Sequence, residues 1–217
     1  MVVRSPRTSA ARALVALVAL VAMSASGCGS SSSAPPAGSE PSTPAPRVFV
    51  GEVSGSDARV GVVATPSHAR LYFCGGDASF GTMTHWFPGV ALDGARALVP
   101  VALSDGWSLT GQVDDAGASG EVAVPDAGTF SFHASPVSSN TVAGLYEVAG
   151  PCGHVGVVVT QASPADEPTG QGACIGTDVA ASVEQVNPIR PIAHAADGTI
   201  PVVVNGTQLT VHAAAAP

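Results

Sequence analysis

Beyond residue 46 the chain runs in short apolar–polar alternations broken by Gly, Pro, Asn and Asp, the period of half-buried strands. The clearest break is Asn205-Gly206, which predicts a type I′ hairpin pairing Val204 with Thr207, Val202 with Leu209 and Ile200 with Val211. Ser104-Asp105-Gly106 predicts a three-residue loop with Gly106 left-handed. That loop sets Leu103 opposite Trp107 and Val101 opposite Leu109, whereas a two-residue loop would oppose Ser to Trp. Thr65-Pro66-Ser67-His68 closes a hairpin that pairs Val62 with Leu71, Val60 with Phe73 and Arg59 with Cys74. Pro125-Asp126-Ala127-Gly128 closes another, grouping Val122 and Val124 with Phe130 and Phe132.

The pattern repeats. Glu52–Thr65 aligns without gaps on Glu147–Thr160, with eight of fourteen positions identical at an offset of 95. After a longer loop, Cys74-Gly75-Gly76 meets Cys174-Ile175-Gly176 and Pro88 meets Pro188. Pro100-Val101-Ala102-Leu103 then meets Pro201-Val202-Val203-Val204, each followed by a DG or NG turn. Three collinear segments point to a tandem duplication spanning residues 47–113 and 143–213, with residues 114–142 as an inserted β-hairpin. Between the cysteine strand and the proline, Phe80, Met83 and Phe87 recur at near-helical spacing behind Asp77. Val179, Val183 and Val186 do so behind the candidate N-cap Asp178. Each stretch reads as a short helix lying on the sheet, with an apolar loop as the alternative and Gly81 weakening the first. The expected fold is mainly β: an antiparallel barrel or sandwich built from two tandem βββ-α-ββ repeats packed about a pseudo-two-fold axis.

The N-terminal part is of another kind. Arg4, Arg7 and Arg12 precede the apolar run Ala13–Met23, whose eleven residues would rise only about 16 Å as a helix, against a bilayer core of about 30 Å. This is an export signal rather than a span. Ala25-Ser26-Gly27-Cys28 resembles the lipobox of bacterial lipoproteins. The resemblance implies cleavage after residue 27, lipid on Cys28, and an extracytoplasmic chain anchored to a bacterial membrane. Residues 28–46 then form a lipidated Ser/Pro/Ala tether with a reach of about 25 Å.

Charge narrows the partners. The chain has no lysine; after Cys28 it carries five arginines and all sixteen acids. No basic footprint for nucleic acid exists, and anionic headgroups would repel the body. Export favours a disulfide among Cys74, Cys152 and Cys174. The expected register sets Cys174 opposite His154 with Cys152 on the diagonal, which favours Cys152–Cys174; Cys74–Cys174 is the alternative.

Catalytic motifs are missing from the sequence: no G-x-S-x-G, no H-E-x-x-H, no C-x-x-C and no P-loop. The six histidines lack metal spacing, and no cofactor is expected. Thr84-His85-Trp86-Phe87 is the most suggestive cluster, with His85 and Trp86 as candidate ligand-binding residues. The expectation is a non-enzymatic envelope module meeting a protein, a glycan or a small ligand. The alternative is a hydrolase or thiol-dependent enzyme assembled in three dimensions around Cys74, His85 and Asp77.

Overall fold

The computed structural model describes residues 44–150, 152–176 and 183–217. The leader, Cys28 and the tether up to residue 43 lie outside the described residues, as do Asp178 and Val179.

The first eight strands are β1 (Arg47–Val53), β2 (Arg59–Ala64), β3 (His68–Cys74), β4 (His85–Ala91), β5 (Ala97–Ala102), β6 (Ser108–Val113), β7 (Ala118–Val124) and β8 (Gly128–Pro136). They form one antiparallel sheet in the order β4-β3-β2-β1-β8-β7-β6-β5. The sheet curls until its edges β4 and β5 almost meet, joined by a single bridge between Leu92 and Leu98. The other six are β9 (Gly144–Gly150), β10 (Gly153–Thr160), β11 (Thr169–Ile175), β12 (Val183–Pro188), β13 (Ile200–Val204) and β14 (Thr207–Ala213). They close a barrel in the order β10-β11-β12-β13-β14-β9. The fold is thus all-β and antiparallel, with two up-and-down rings that each enclose a core of their own.

Alternation explains both cores. Phe49, Val60, Val62, Leu71, Phe73, Phe87, Leu109 and Phe132 point into the first ring. Phe73 meets Phe132 and Phe87 edge-on at 5.4 and 5.9 Å, the favoured geometry for aromatic pairs. Tyr146, Val155, Val157, Val159, Cys174, Val186, Ile200, Val202 and Val211 fill the second. The unbroken apolar runs Val60–Ala64 and Val155–Val159 have a further cause: β2 and β10 are buried on both faces. Their outer faces, with those of β3, β9 and β11, form a third cluster between the rings, made of Val63, Tyr72, Cys74, Leu145, Val158 and Ala173.

The hairpins follow the expected registers. Val204 pairs with Thr207, Val202 with Leu209 and Ile200 with Val211, around Asn205 and Gly206 at positive φ. Val101 pairs with Leu109 behind Gly106 at φ 90°. Val62 faces Leu71, Val60 faces Phe73 and Arg59 faces Cys74. Residues 114–142 supply β7 and β8, and β8 pairs with β1, so this hairpin is the arc that brings the first ring round on itself.

Two expectations are corrected. There is no helix among the described residues. Gly75–Thr84 is a chain of turns pinned by Ser79 N–H to Gly76 O and Met83 N–H to Ser79 O, and residues 85–91 are strand β4. Three glycines within seven residues deprive a helix there of propensity. Asp57, rather than Asp77, ties the turns down, accepting from Ala78 N–H at 2.8 Å and from the Ser79 hydroxyl. Met83 enters the first core, and Phe80 packs against the cluster between the rings. In the second half Val183 already opens strand β12. The other correction is register: Cys174 faces Val155 rather than His154. Cys174 therefore points into its ring, whereas Cys74 points out of the other. The structural counterpart of Cys174 is Phe73.

The disulfide Cys152–Cys174 is formed, with 6.1 Å between Cα atoms. It fastens the β9–β10 turn to β11 and indicates folding in an oxidising, extracytoplasmic compartment.

The glycines of the two Val-Gly-Val-Val runs set how near the rings come. A Cβ on Gly156 would lie 2.7 Å from Trp86 and 2.8 Å from Tyr72; one on Gly61 would lie 3.0 Å from Leu145. Gly156→Ala is expected to lower stability by about 1–3 kcal/mol. Gly89→Ala, where the space is open, should leave it nearly unchanged. Urea unfolding midpoints of the two variants check this.

Candidate functional site

The line where the rings meet has a depression at each end, and the two are built from matching positions. At one end β9 and β10 of the second ring contribute Glu147 and His154, while β3 and β4 of the first contribute Arg70 and Trp86. At the other end β1 and β2 contribute Glu52 and Arg59, while β11 and β12 contribute Gln171 and Gln185. Glu52 and Glu147 are aligned in the repeat, as are Arg59 and His154. The cross-ring partners differ: Arg and Trp at one end, two glutamines at the other.

The end that holds Trp86 is a cleft of about 340 Å³, also lined by Thr84, His85, Pro88 and Ile175. Arg70 donates from Nη1 to Glu147 Oε1 at 2.6 Å and from Nε to Pro88 O at 3.3 Å. The same Glu147 oxygen accepts from Ala215 N–H at 3.0 Å, so the C-terminal segment is fixed at the cleft edge. Glu147 Oε2 lies 3.0 Å from His154 Nε2, an ion-pair approach without an aligned hydrogen bond. Arg70 and Glu147 are only 21% and 15% exposed, so the pair is stronger than an ordinary surface bridge. Trp86 stacks on Tyr72 with 4.3 Å between ring centres and meets His154 edge-on at 4.8 Å. Its indole N–H is enclosed without an acceptor.

The opposite end is larger, about 460 Å³, and more polar. Its amides are already engaged. Gln171 Nε2 donates to Cys74 O and Asp57 O, and Gln185 Nε2 donates to Asp77 Oδ1 at 3.1 Å. Arg59 Nη2 donates to Thr169 Oγ1 at 2.9 Å. These bonds cross from ring to ring and hold the rings together at that end.

His85 and Trp86 both line this cleft, but their side chains leave strand β4 on opposite faces. Neighbours on a strand point to opposite faces. Trp86 points outward to the second ring, whereas His85 points inward, stacked on Trp107 at 4.5 Å and edge-on to Phe87 at 4.9 Å. The trio Cys74, His85 and Asp77 is not assembled either: among the described residues no hydrogen bond joins them. Cys74 is buried between the rings, its thiol 3.8 Å from Gly75 O, and burial pushes that thiol up to about 12. A thiolate is therefore disfavoured there. Among the described residues no three His, Cys, Asp or Glu side chains are grouped to hold a metal.

Sequence reasoning missed Arg70 and Glu147. The available signals were an arginine inside the apolar run Ala69-Arg70-Leu71-Tyr72-Phe73 and a glutamate kept in both repeats. Neither says which strand of the other ring lies opposite.

The fold and the cleft thus define a two-ring β protein with one aromatic and one amide-lined end to its seam. The chain matches no family model, no curated protein and no solved structure.

Two measurements probe these environments. Iodoacetamide mapped by peptide mass is expected to leave Cys74 unmodified in the folded protein and to label it fully in denaturant. Burial also holds the His85 imidazole below its ordinary value of 6.5, against an opposing pull from Asp105. As the pH falls through 6.5 the unfolded chain protonates first, so this residue costs stability on the acid side. His85→Gln is expected to flatten that loss when urea midpoints at about pH 7.5 and about pH 5 are compared.

Proposed function

We propose that the protein is a non-enzymatic binding module, anchored outside the cytoplasm by lipid on Cys28, that captures its ligand at the Trp86 end of the seam. The observation that carries the reading is the cleft itself. It combines an apolar wall of Trp86, Pro88 and Ile175 with a compact polar group of Arg70, Glu147 and His154. A mostly apolar recess with a few convergent polar groups is the usual form of a small-ligand site. The disulfide supports the extracytoplasmic location. The lipobox-like Ala25-Ser26-Gly27-Cys28 supports the anchor, and the Ser/Pro/Ala stretch behind it supplies clearance from the membrane. Two acyl chains hold a protein at a membrane stably, where one does so only reversibly. The second half of the chain matches the first strand for strand from β1–β6 to β9–β14, which agrees with descent from a duplicated unit whose two seam ends then diverged.

Cys28→Ala is expected to abolish the lipid mass and to leave the chain uncleaved or release it as a water-soluble form; an unchanged lipid mass would overturn the anchor. Native mass spectrometry of the protein from its own host is expected to retain a ligand that Trp86→Ala loses. Retention unaffected by that substitution would place binding elsewhere.

A further inference from the structure

The neutral balance of charges in the aromatic cleft narrows its ligand, granted that this cleft is the binding site. We propose that it takes a neutral hexopyranose unit of a glycan. Arg70 and Glu147 already satisfy each other at 2.6 Å. An anion would have to draw Arg70 away from Glu147 and strand a half-buried charge, and a cation reaching the other Glu147 oxygen would meet the repulsion of the adjacent Arg70 guanidinium. The acidic surface adds to the cost of an anion. A wholly apolar ligand fits no better, because it would seal polar groups away from water without partners.

What remains is a neutral ligand with one apolar face and many hydroxyls. The lining offers both counterparts. Trp86, Pro88 and Ile175 present carbon surface; Glu147 and His154 present polar atoms, while the Thr84 hydroxyl is already engaged with Phe80 O and Gly75 N–H. Of the lining residues, His85 Nε2, the Trp86 indole N–H and Glu147 Oε2 are enclosed without aligned partners. The His85 ring is turned toward Trp107 and Phe87 of the first ring, which leaves one donor and one acceptor at the seam. A hydroxyl can serve either, which a carbonyl or an ammonium cannot. A flat heteroaromatic ring is less suited, since Tyr72 covers one face of Trp86 and His154 meets that ring edge-on, leaving no two-walled slot. The volume of about 340 Å³ lies at the small end of the ~300–1,000 Å³ usual for ligand clefts, enough for a sugar unit but not for a long chain. The opposite end of the seam, with the same glutamate position but no aromatic side chain, is a built-in contrast.

The chain has two tryptophans, so Trp107→Phe leaves Trp86 as the single emitter in the full-length protein. Its fluorescence would be titrated with neutral trisaccharides of glucose, mannose or galactose, with trigalacturonate as an acidic counterpart and with anilinonaphthalene sulfonate as an apolar probe. The expected result is a saturable change with at least one neutral trisaccharide. It should weaken about tenfold or more in Glu147→Gln and in the rim variant His154→Ala. Glu147 also bridges the rings, so a poorly folded Glu147→Gln would leave His154→Ala, more exposed, to give the answer. If only trigalacturonate or the dye produces a change, and His154→Ala removes it, the cleft remains a binding site and the sugar assignment is overturned. If no probe changes the emission, the assignment of binding to this cleft falls with it.

Discussion

Two rings of β-strand can touch along their outer faces only if something lets their backbones come close. Here Gly61 and Gly156 do so, at the same place in each Val-Gly-Val-Val run. Leu145 fills the space over the first, and Tyr72 and Trp86 fill the space over the second. Side chains at these positions would push the sheets apart and expose Tyr72, Val63, Val158 and Ala173 to water. The cross-ring bonds of Arg70, Arg59, Gln171 and Gln185 depend on the same spacing, since hydrogen bonds fail over a few tenths of an ångström. The seam, the burial of Cys74 and both clefts are consequences of that one approach.

Near two-fold correspondence gives the seam two comparable ends, and of the four matched positions described three differ between them. Glu52 with Arg59 faces two amides; Glu147 with His154 faces an arginine and a tryptophan. One end joins the rings through its two amides and Arg59. The other joins them through a single ion pair and keeps aromatic surface beside it. The two ends differ in this way without any change in the strand framework.

Most of the strand framework was legible in the sequence because turn chemistry and alternation act locally. Asn205-Gly206 and Gly106 fix their registers through backbone conformation, and Val60, Val62, Leu71 and Phe73 fix theirs through one buried face. The first short helix was misread since Phe80, Met83 and Phe87 recur at helical intervals for unrelated reasons: Met83 and Phe87 enter one core while Phe80 serves another. The slip at Cys174 has a similar origin. Strand β11 carries Gly170 and Gly172 on the inward face, so alternation gives little indication of phase, and the shared cysteine suggested an equivalence that the barrel does not keep. The disulfide survives that error because Cys152 lies in the turn, within reach of either register. The cleft was half legible. Trp86 stands out by composition, but Arg70, Glu147 and His154 meet it only through packing between rings, which no local pattern encodes.

The first ring stops short of closure, and its two free edges are the strands least suited to accept company. Strand β4 carries Pro88 and one residue more than its partner between Leu71 and Ala69; β5 carries Pro100 and one more than its partner between Leu98 and Val101. Each edge thus lacks an amide hydrogen and is bent out of a straight ladder. The second ring closes fully and offers no edge at all. Many copies crowded side by side would therefore find, among the described residues, no straight and fully hydrogen-bonding strand edge on a neighbour, which guards this β framework against fibre-like self-association.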